Sequence, residues 1–162
     1  MKTIALGSDH AGFALKDALV VALTQRGFAV QDCGTFSADS CDYPDYARKV
    51  ANLVSSKKIP GLLVCGSGIG VSIVANKVRG VRAALVFDVD QARLSKQHND
   101  SNVLCFAGRL LDAEQALKII DVWLSTEFEG GRHARRVQKI EAPRAGESQD
   151  EWKKVSSNRC VS

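Results

Sequence analysis

The chain has 162 residues, of which 45% are hydrophobic and 25% charged, enough for one globular domain with a real core. No apolar run reaches the length of a membrane span, and Met1-Lys2-Thr3-Ile4 lacks the apolar region of a signal peptide. The net charge of +4 is concentrated late: residues 132–162 hold eight Lys/Arg and four Asp/Glu, which leaves fourteen of each sign in residues 1–131.

In chain order, Thr3 to Ser8 reads as a buried strand, and Phe13 to Gln25 as an amphipathic helix closed by Gly27. Phe28 to Cys33 reads as a second strand, and Tyr46 to Ser55 as a helix entered just after Pro44. Gly61 to Cys65 is a third strand; it runs through glycines into a helix over Val71 to Lys77. Val81 to Phe87 is a fourth strand, followed by a helix over Val89 to Gln97. Val103 to Ala107 is a fifth, followed by a long helix over Ala113 to Ser125. Five short apolar strands alternating with helices predict an α/β fold. The expected form is a Rossmann-like three-layer sandwich, with a five-stranded parallel sheet and helices on both faces. Residues 1–141 form that domain. Residues 142–162 begin with a helix-breaking Ala-Pro-Arg-Ala-Gly run and read as a flexible or peripheral C-terminal extension.

Ligands of such sheets bind at the carboxyl ends of the strands. The residues just past the strands are Asp9-His10, Cys33-Gly34, Cys65 to Gly70, Asp88 and Gly108-Arg109. Within them, Cys65-Gly66-Ser67-Gly68-Ile69-Gly70 carries the most information. A strand that enters a helix through glycines aims several backbone N–H groups at one spot, which favours an anion or a developing oxyanion. A thiol at that strand end is placed to act as a base or nucleophile. The alternative is a buried structural cysteine followed by an ordinary strand-to-helix turn. Spacing excludes several other cradles. The glycines are one residue short of a dinucleotide fingerprint, no Gly-Lys-Ser/Thr closes a P-loop, and Val71 stands where a cysteine phosphatase loop needs arginine.

The five cysteines are Cys33, Cys41, Cys65, Cys105 and Cys160. The odd count and the missing signal segment predict reduced thiols and a cytoplasmic protein. No Cys-x-x-Cys or His-x-x-x-His spacing suggests a metal. Arg132-His133-Ala134-Arg135-Arg136 is the densest basic cluster, and only 6% of the chain is aromatic. A nucleic-acid surface would be broader and interleaved with aromatics. Arg132 and Arg136, four apart, share one helix face and suit a small phosphorylated ligand, or else form a solvated basic face. His98-Asn99-Asp100 ends the fourth helix and belongs at the opposite sheet edge from Cys65.

Eight motifs in order resemble the type B ribose-5-phosphate isomerases, in the sugar-phosphate isomerase family that also holds galactose-6-phosphate isomerase subunits. They are Gly7-Ser8-Asp9-His10-Ala11-Gly12, Asp42-Tyr43-Pro44-Asp45-Tyr46, Cys65 to Gly70, Ala75-Asn76-Lys77, Gly80-Val81-Arg82-Ala83-Ala84, His98-Asn99-Asp100, Gly108-Arg109 and Arg132 to Arg136. The resemblance covers about residues 1–140. It implies an aldose–ketose isomerisation of a small phosphorylated sugar through an enediolate, without metal or organic cofactor. The implied roles are Cys65 as the base between C1 and C2, His98 as the ring opener and Asp9 as a partner of sugar hydroxyls. Tyr43 would line the site. Ser67, Asn99 and the backbone of Gly66, Gly68, Ile69 and Gly70 would hold the enediolate. His10, Arg109, Arg132 and Arg136 would grip the phosphate, with His133 close by. The resemblance also implies homodimers, or tetramers of dimers, whose sites draw residues from both subunits.

The chemistry suits these assignments. Proton abstraction beside a carbonyl needs a base and fixed donors where charge develops. One branch of the family uses a loop glutamate as base, and Val71 at that position cannot accept a proton. The substrate expected is ribose 5-phosphate. Allose 6-phosphate, galactose 6-phosphate and a tetrose phosphate are alternatives that sequence separates poorly. Two other classes remain, a non-catalytic phosphosugar-binding module and a cysteine hydrolase. The first has no need of Cys65, His98 and Asp9 together, and the second lacks a well-placed His and acid partner.

Overall fold

The computed structural model describes residues 2–143. The strands are β1 (Thr3–Ser8), β2 (Ala29–Asp32), β3 (Gly61–Cys65), β4 (Ala83–Leu85) and β5 (Val103–Ala107). The helices are α1 (Phe13–Gln25), α2 (Tyr43–Lys57), α3 (Ile69–Ala75), α4 (Val89–Asn99), α5 (Ala113–Ser125) and α6 (Gly131–Ile140). The strands form one parallel sheet in the order β2-β1-β3-β5-β4. The expected α/β sandwich is therefore the observed one. Residues 144–162, with most of the expected extension and Cys160, lie outside the described residues.

Alternation along the strands sorts the core into two layers. Ile4, Leu6, Leu62, Val64, Leu104 and Phe106 face α1, α4 and α5, where they meet Leu19, Leu23, Ile120 and Trp123. Ala5, Leu63, Cys65, Val103 and Cys105 face α2 and α3, where they meet Val50, Val54, Val71 and Ala75. Side chains of the central strands β3 and β5 are buried throughout, as expected of strands covered on both faces.

Five elements differ in bounds from the sequence reading, β2 and α4 by only one or two residues at an end, and α2, α3 and β4 for identifiable reasons. Helix α2 starts at Tyr43, not Tyr46, because Pro44 falls in the first turn, where its missing N–H costs nothing. Helix α3 starts at Ile69 and stops at Ala75, because Gly68 already serves as its N-cap. Strand β4 is reduced to three residues at the sheet edge. The N–H of Arg82 goes to Asn102 Oδ1 at 2.8 Å, and that of Phe87 to Gln91 Oε1 at 2.8 Å, rather than to a neighbouring strand.

The strand order also places the site. The chain leaves β1 toward one edge for β2, then crosses back over β1 to β3. The crevice between the carboxyl ends of β1 and β3 is the switch point, where an open α/β sheet binds its ligand. No helix among the described residues is long and apolar enough to cross a membrane.

Candidate active site

A cleft of about 210 Å³ opens at that switch point, lined by Asp9, His10, Ala11, Tyr43, Cys65, Gly66, Ser67, Gly70 and Arg109. Asp9 and His10 leave β1, and the glycine loop leaves β3. Arg109 follows β5, its N–H bonded to Gly66 O at 3.3 Å. A larger cleft of about 330 Å³ lies at the opposite edge, among Val54, Pro60, Arg82, Lys96, Asp100 and Trp123. Its Arg82 and Lys96 are both committed to Asp100, and no cysteine, serine, threonine or histidine lines it. The smaller one brings a thiol, an imidazole, a carboxylate and a guanidinium together.

Cys65 is the last residue of β3 and is 4% exposed. Its Sγ accepts the N–H of Gly68 at 3.1 Å, a bond that a thiolate accepts more strongly than a thiol. Gly68 makes this turn with φ at +73°, a left-handed conformation that glycine adopts without strain. Gly70 is needed for another reason. A Cβ there would come within 2.7 Å of the Tyr43 ring, so only a glycine lets Tyr43 lie over the loop. Ser67 Oγ accepts the Ile69 N–H at 3.3 Å and steadies the first turn of α3.

Asp9 is almost buried and caps the short 3-10 turn at His10–Gly12, its Oδ1 accepting the Gly12 N–H at 3.0 Å. The strand end that carries it is tied down from behind. Lys16 is fully buried and reaches Asp32 Oδ2 at 2.7 Å, between the rings of Phe13 and Phe36. Asp32 Oδ1 accepts the Gly34 N–H, Gly34 O accepts the Ser8 N–H, and Thr35 N–H donates to Ser8 O. His10 Nδ1 accepts the Cys41 N–H at 3.2 Å. The neutral ring therefore carries its proton on Nε2, as a donor. Among the neighbouring thiols, burial pushes Cys105 far above the ordinary cysteine range, and the nearby Cys65 adds to the effect.

The other expected residues are held elsewhere. His98 and Asn99 end α4 just before β5 begins at Val103. Val103 is paired with Gly61, and Cys65 with Ala107 at the far end of the same ladder. Four strand steps separate the two ends, roughly 13 Å at the usual rise. Helix α6 packs on α4 and brings Arg132, His133 and Arg136 to the His98 side. His98 and His133 stack with ring centroids 4.2 Å apart. Arg132 Nε donates to His133 Nε2 at 3.3 Å. Burial, followed by His98 and Arg132, holds the His133 imidazole below its ordinary pKa, against the pull of Glu129.

One chain thus gathers Asp9, His10, Tyr43, Cys65, Gly66, Ser67, Gly68, Ile69, Gly70 and Arg109 at one edge. His98, Asn99, Arg132, His133 and Arg136 gather at the other. Sequence reasoning missed Glu129, Cys41 and Lys16. Glu129 stands four before His133, a helical spacing that was readable, but its nearness to His98 is purely tertiary. Cys41 and Lys16 gave no local signal.

A strand-end thiol with a backbone donor at a parallel-sheet switch point defines a class of site, one for proton transfer or nucleophilic attack next to an anion cradle. The particular family follows from likeness. A family model described as Ribose/Galactose Isomerase matches residues 4–140. Ribose-5-phosphate isomerase B of Escherichia coli is 48% identical over 143 residues, covering 88% of this chain and 96% of that protein. The structure of a ribose 5-phosphate isomerase from Thermotoga maritima aligns with a TM-score of 0.84 at 50% identity, over 86% of this chain and 97% of that one. Ribose-5-phosphate isomerase B of Mycoplasma genitalium, solved with bound ribulose-5-phosphate, aligns at 0.83 and 43% identity, over 86% and 93%. The chain belongs to the ribose/galactose isomerase family.

Proposed function

We propose that the chain interconverts ribose 5-phosphate and ribulose 5-phosphate through an enediolate, with Cys65 as the base. The observation that carries this is the Cys65 Sγ bonded to the Gly68 N–H at the floor of the switch-point cleft. The relatives named above, one holding ribulose-5-phosphate, support the substrate.

In this mechanism His98 opens the furanose ring. The Cys65 thiolate removes the proton from C2 of the open aldose and becomes a thiol, while negative charge develops on O1. Backbone N–H groups of residues 66–70, Ser67 and Asn99 hold that charge. The thiol returns the proton to C1 and the hydroxyl proton passes from O2 to O1, so atoms and electrons balance. Asp9 orients sugar hydroxyls, and Tyr43 covers the loop side of the sugar. His10 through Nε2–H, Arg109, Arg132 and Arg136 bind the phosphate, with His133 beside them. Phosphate binding far from the reacting carbons fixes the substrate in a reactive pose.

The reading requires a homodimer. One sugar must meet both Cys65 and His98, and a single chain holds them at opposite sheet edges. A second copy that presents its α4–α6 face to the cleft completes the site. The four described cysteines are all free thiols, which supports a cytoplasmic setting. The test is a coupled assay across four-, five- and six-carbon aldose phosphates. The highest kcat/KM is expected on ribose 5-phosphate. No turnover of any of them would leave a phosphosugar-binding module, and preference for a six-carbon substrate would reassign the specificity.

A further inference from the structure

The isomerisation proposed above gives Glu129 no role, yet its carboxylate faces two imidazoles. Its Oε2 is 3.5 Å from His133 Nε2 and 3.9 Å from His98 Nε2. The three ligand atoms lie within 4.8 Å of one another. The rings are parallel to within 5°, so both edges address the same space. His133 Nε2 accepts the Arg132 Nε–H, so this nitrogen presents a lone pair. A lone pair and a carboxylate oxygen at 3.5 Å repel, and a cation placed between them removes that repulsion; the exposed Arg132 guanidinium lies against the His133 side.

The frame around the three is fixed. Glu129 N–H donates to the carbonyl of Gln97, the residue before His98, at 3.1 Å. His133 N–H donates to Gly130 O at 2.9 Å. In a tetrahedral zinc shell with bonds of about 2.0–2.2 Å, ligand atoms stand roughly 3.3–3.6 Å apart. The His133–Glu129 distance already meets this. The other separations close by small rotations of His98, which is half-buried, and Glu129, which is exposed. Two imidazoles and one carboxylate suit Zn²⁺ and its neighbours, whereas Mg²⁺ and Ca²⁺ want oxygen alone.

We propose that His98, Glu129 and His133 bind a divalent transition-metal ion of the Zn²⁺ class, and that the bound ion excludes the sugar phosphate. The binding stands on the geometry; the inhibition rests on the isomerase reading. The ion takes the His133 lone pair from Arg132, which must swing away, and it ties up the His98 nitrogen that would open the ring. Metal and substrate therefore compete.

The test is calorimetric titration of the full-length chain and of Glu129→Gln with Zn²⁺, and with Co²⁺ followed by absorption. Loss of an outer-shell partner alone weakens metal sites about 10–100-fold, so Glu129→Gln should bind Zn²⁺ at least roughly tenfold more weakly. His133→Asn, read by metal binding only, should do the same. Glu129→Gln should keep isomerase activity and resist Zn²⁺, while ribose 5-phosphate should weaken Zn²⁺ binding to the unaltered chain. Equal Zn²⁺ affinity in both chains, or a thiolate-to-Co²⁺ charge-transfer band, would overturn the site. Equal Zn²⁺ inhibition of both would overturn the competition. The binding measurements stand even if no aldose phosphate is turned over, so the two failures can be told apart.

Discussion

The Cys65 cleft and the His98 cluster are built by opposite means. Around Cys65 the positions are set by backbone: strand ends, a left-handed glycine and N–H groups that cannot move without the sheet. Around His98 they are set by side chains on two helices, held from outside by Arg82. That guanidinium donates to the carbonyls of Asn99 and Asp100 at the end of α4, and to Glu141 just past α6. It caps one helix with a cation, where the dipole favours one, and ties the other to it. The contrast suits the two tasks proposed for them. A proton moves over a fraction of an ångström and needs a fixed base and oxyanion donors. A phosphate is a large target that long arginines can follow as it enters.

The largest effect is therefore expected at the rigid end. Cys65→Ala should keep the fold and substrate binding and lose kcat by about 10²–10⁴-fold, the usual contribution of a positioned base. Near-normal kcat would move the base elsewhere. Thiol alkylation mapped by mass spectrometry should mark Cys65, with ribose 5-phosphate protecting it. Cys105 should stay unlabelled through neutral pH, because burial and the neighbouring Cys65 hold it in the thiol form.

The next effect separates ring opening from chemistry. His98→Asn should lower turnover of ribose 5-phosphate by about a hundredfold, at the low end for acid–base groups. Erythrose 4-phosphate cannot close the usual furanose through its phosphorylated oxygen, so it should lose far less. Equal losses on both substrates would give His98 a role common to all of them.

At the adaptable end the expected change is in binding. Each charged guanidinium–phosphate hydrogen bond contributes roughly 1.5–3 kcal/mol. Arg136→Ala should then raise KM for ribose 5-phosphate about ten- to a hundredfold. Unchanged KM, with unchanged inhibition by inorganic phosphate, would make α6 a solvated basic face.

The same contrast governs what was legible in sequence. Strands β1, β3 and β5 and helices α1 and α5 have the bounds that their apolar runs and glycine or polar stops announce. The strand-end rule then found Asp9, His10, Cys65 to Gly70 and Arg109, because a parallel sheet maps chain position onto a single edge. The insertion of β5 between β3 and β4 was not legible, since strand order depends on contacts distant in sequence. Nor were Glu129, Cys41 and Lys16, whose partners His98, His10 and Asp32 are brought to them only by folding. Local pattern reveals residues that act from the backbone's ends, and tertiary packing alone reveals residues that act on one another.

The smallest effect, a recovery rather than a loss, decides whether the two regions of one chain ever meet. In a symmetric dimer each cleft would take Cys65 from one chain and His98 from its partner. Chains carrying Cys65→Ala keep a working His98, and chains carrying His98→Asn keep a working Cys65. In a mixed dimer one cleft then receives both lesions and the other receives neither. Random assortment makes half the dimers mixed, each with one intact cleft of two, so co-refolding equal amounts of the two inactive proteins should restore about a quarter of wild-type activity. Recovery should appear only after subunits exchange and should be absent when the proteins are mixed without exchange. If each chain instead closed its own site by moving α4 and α6 across the sheet edge, every cleft in the mixture would keep its own lesion. Activity would then stay at the mean of the two variants, however long exchange was allowed.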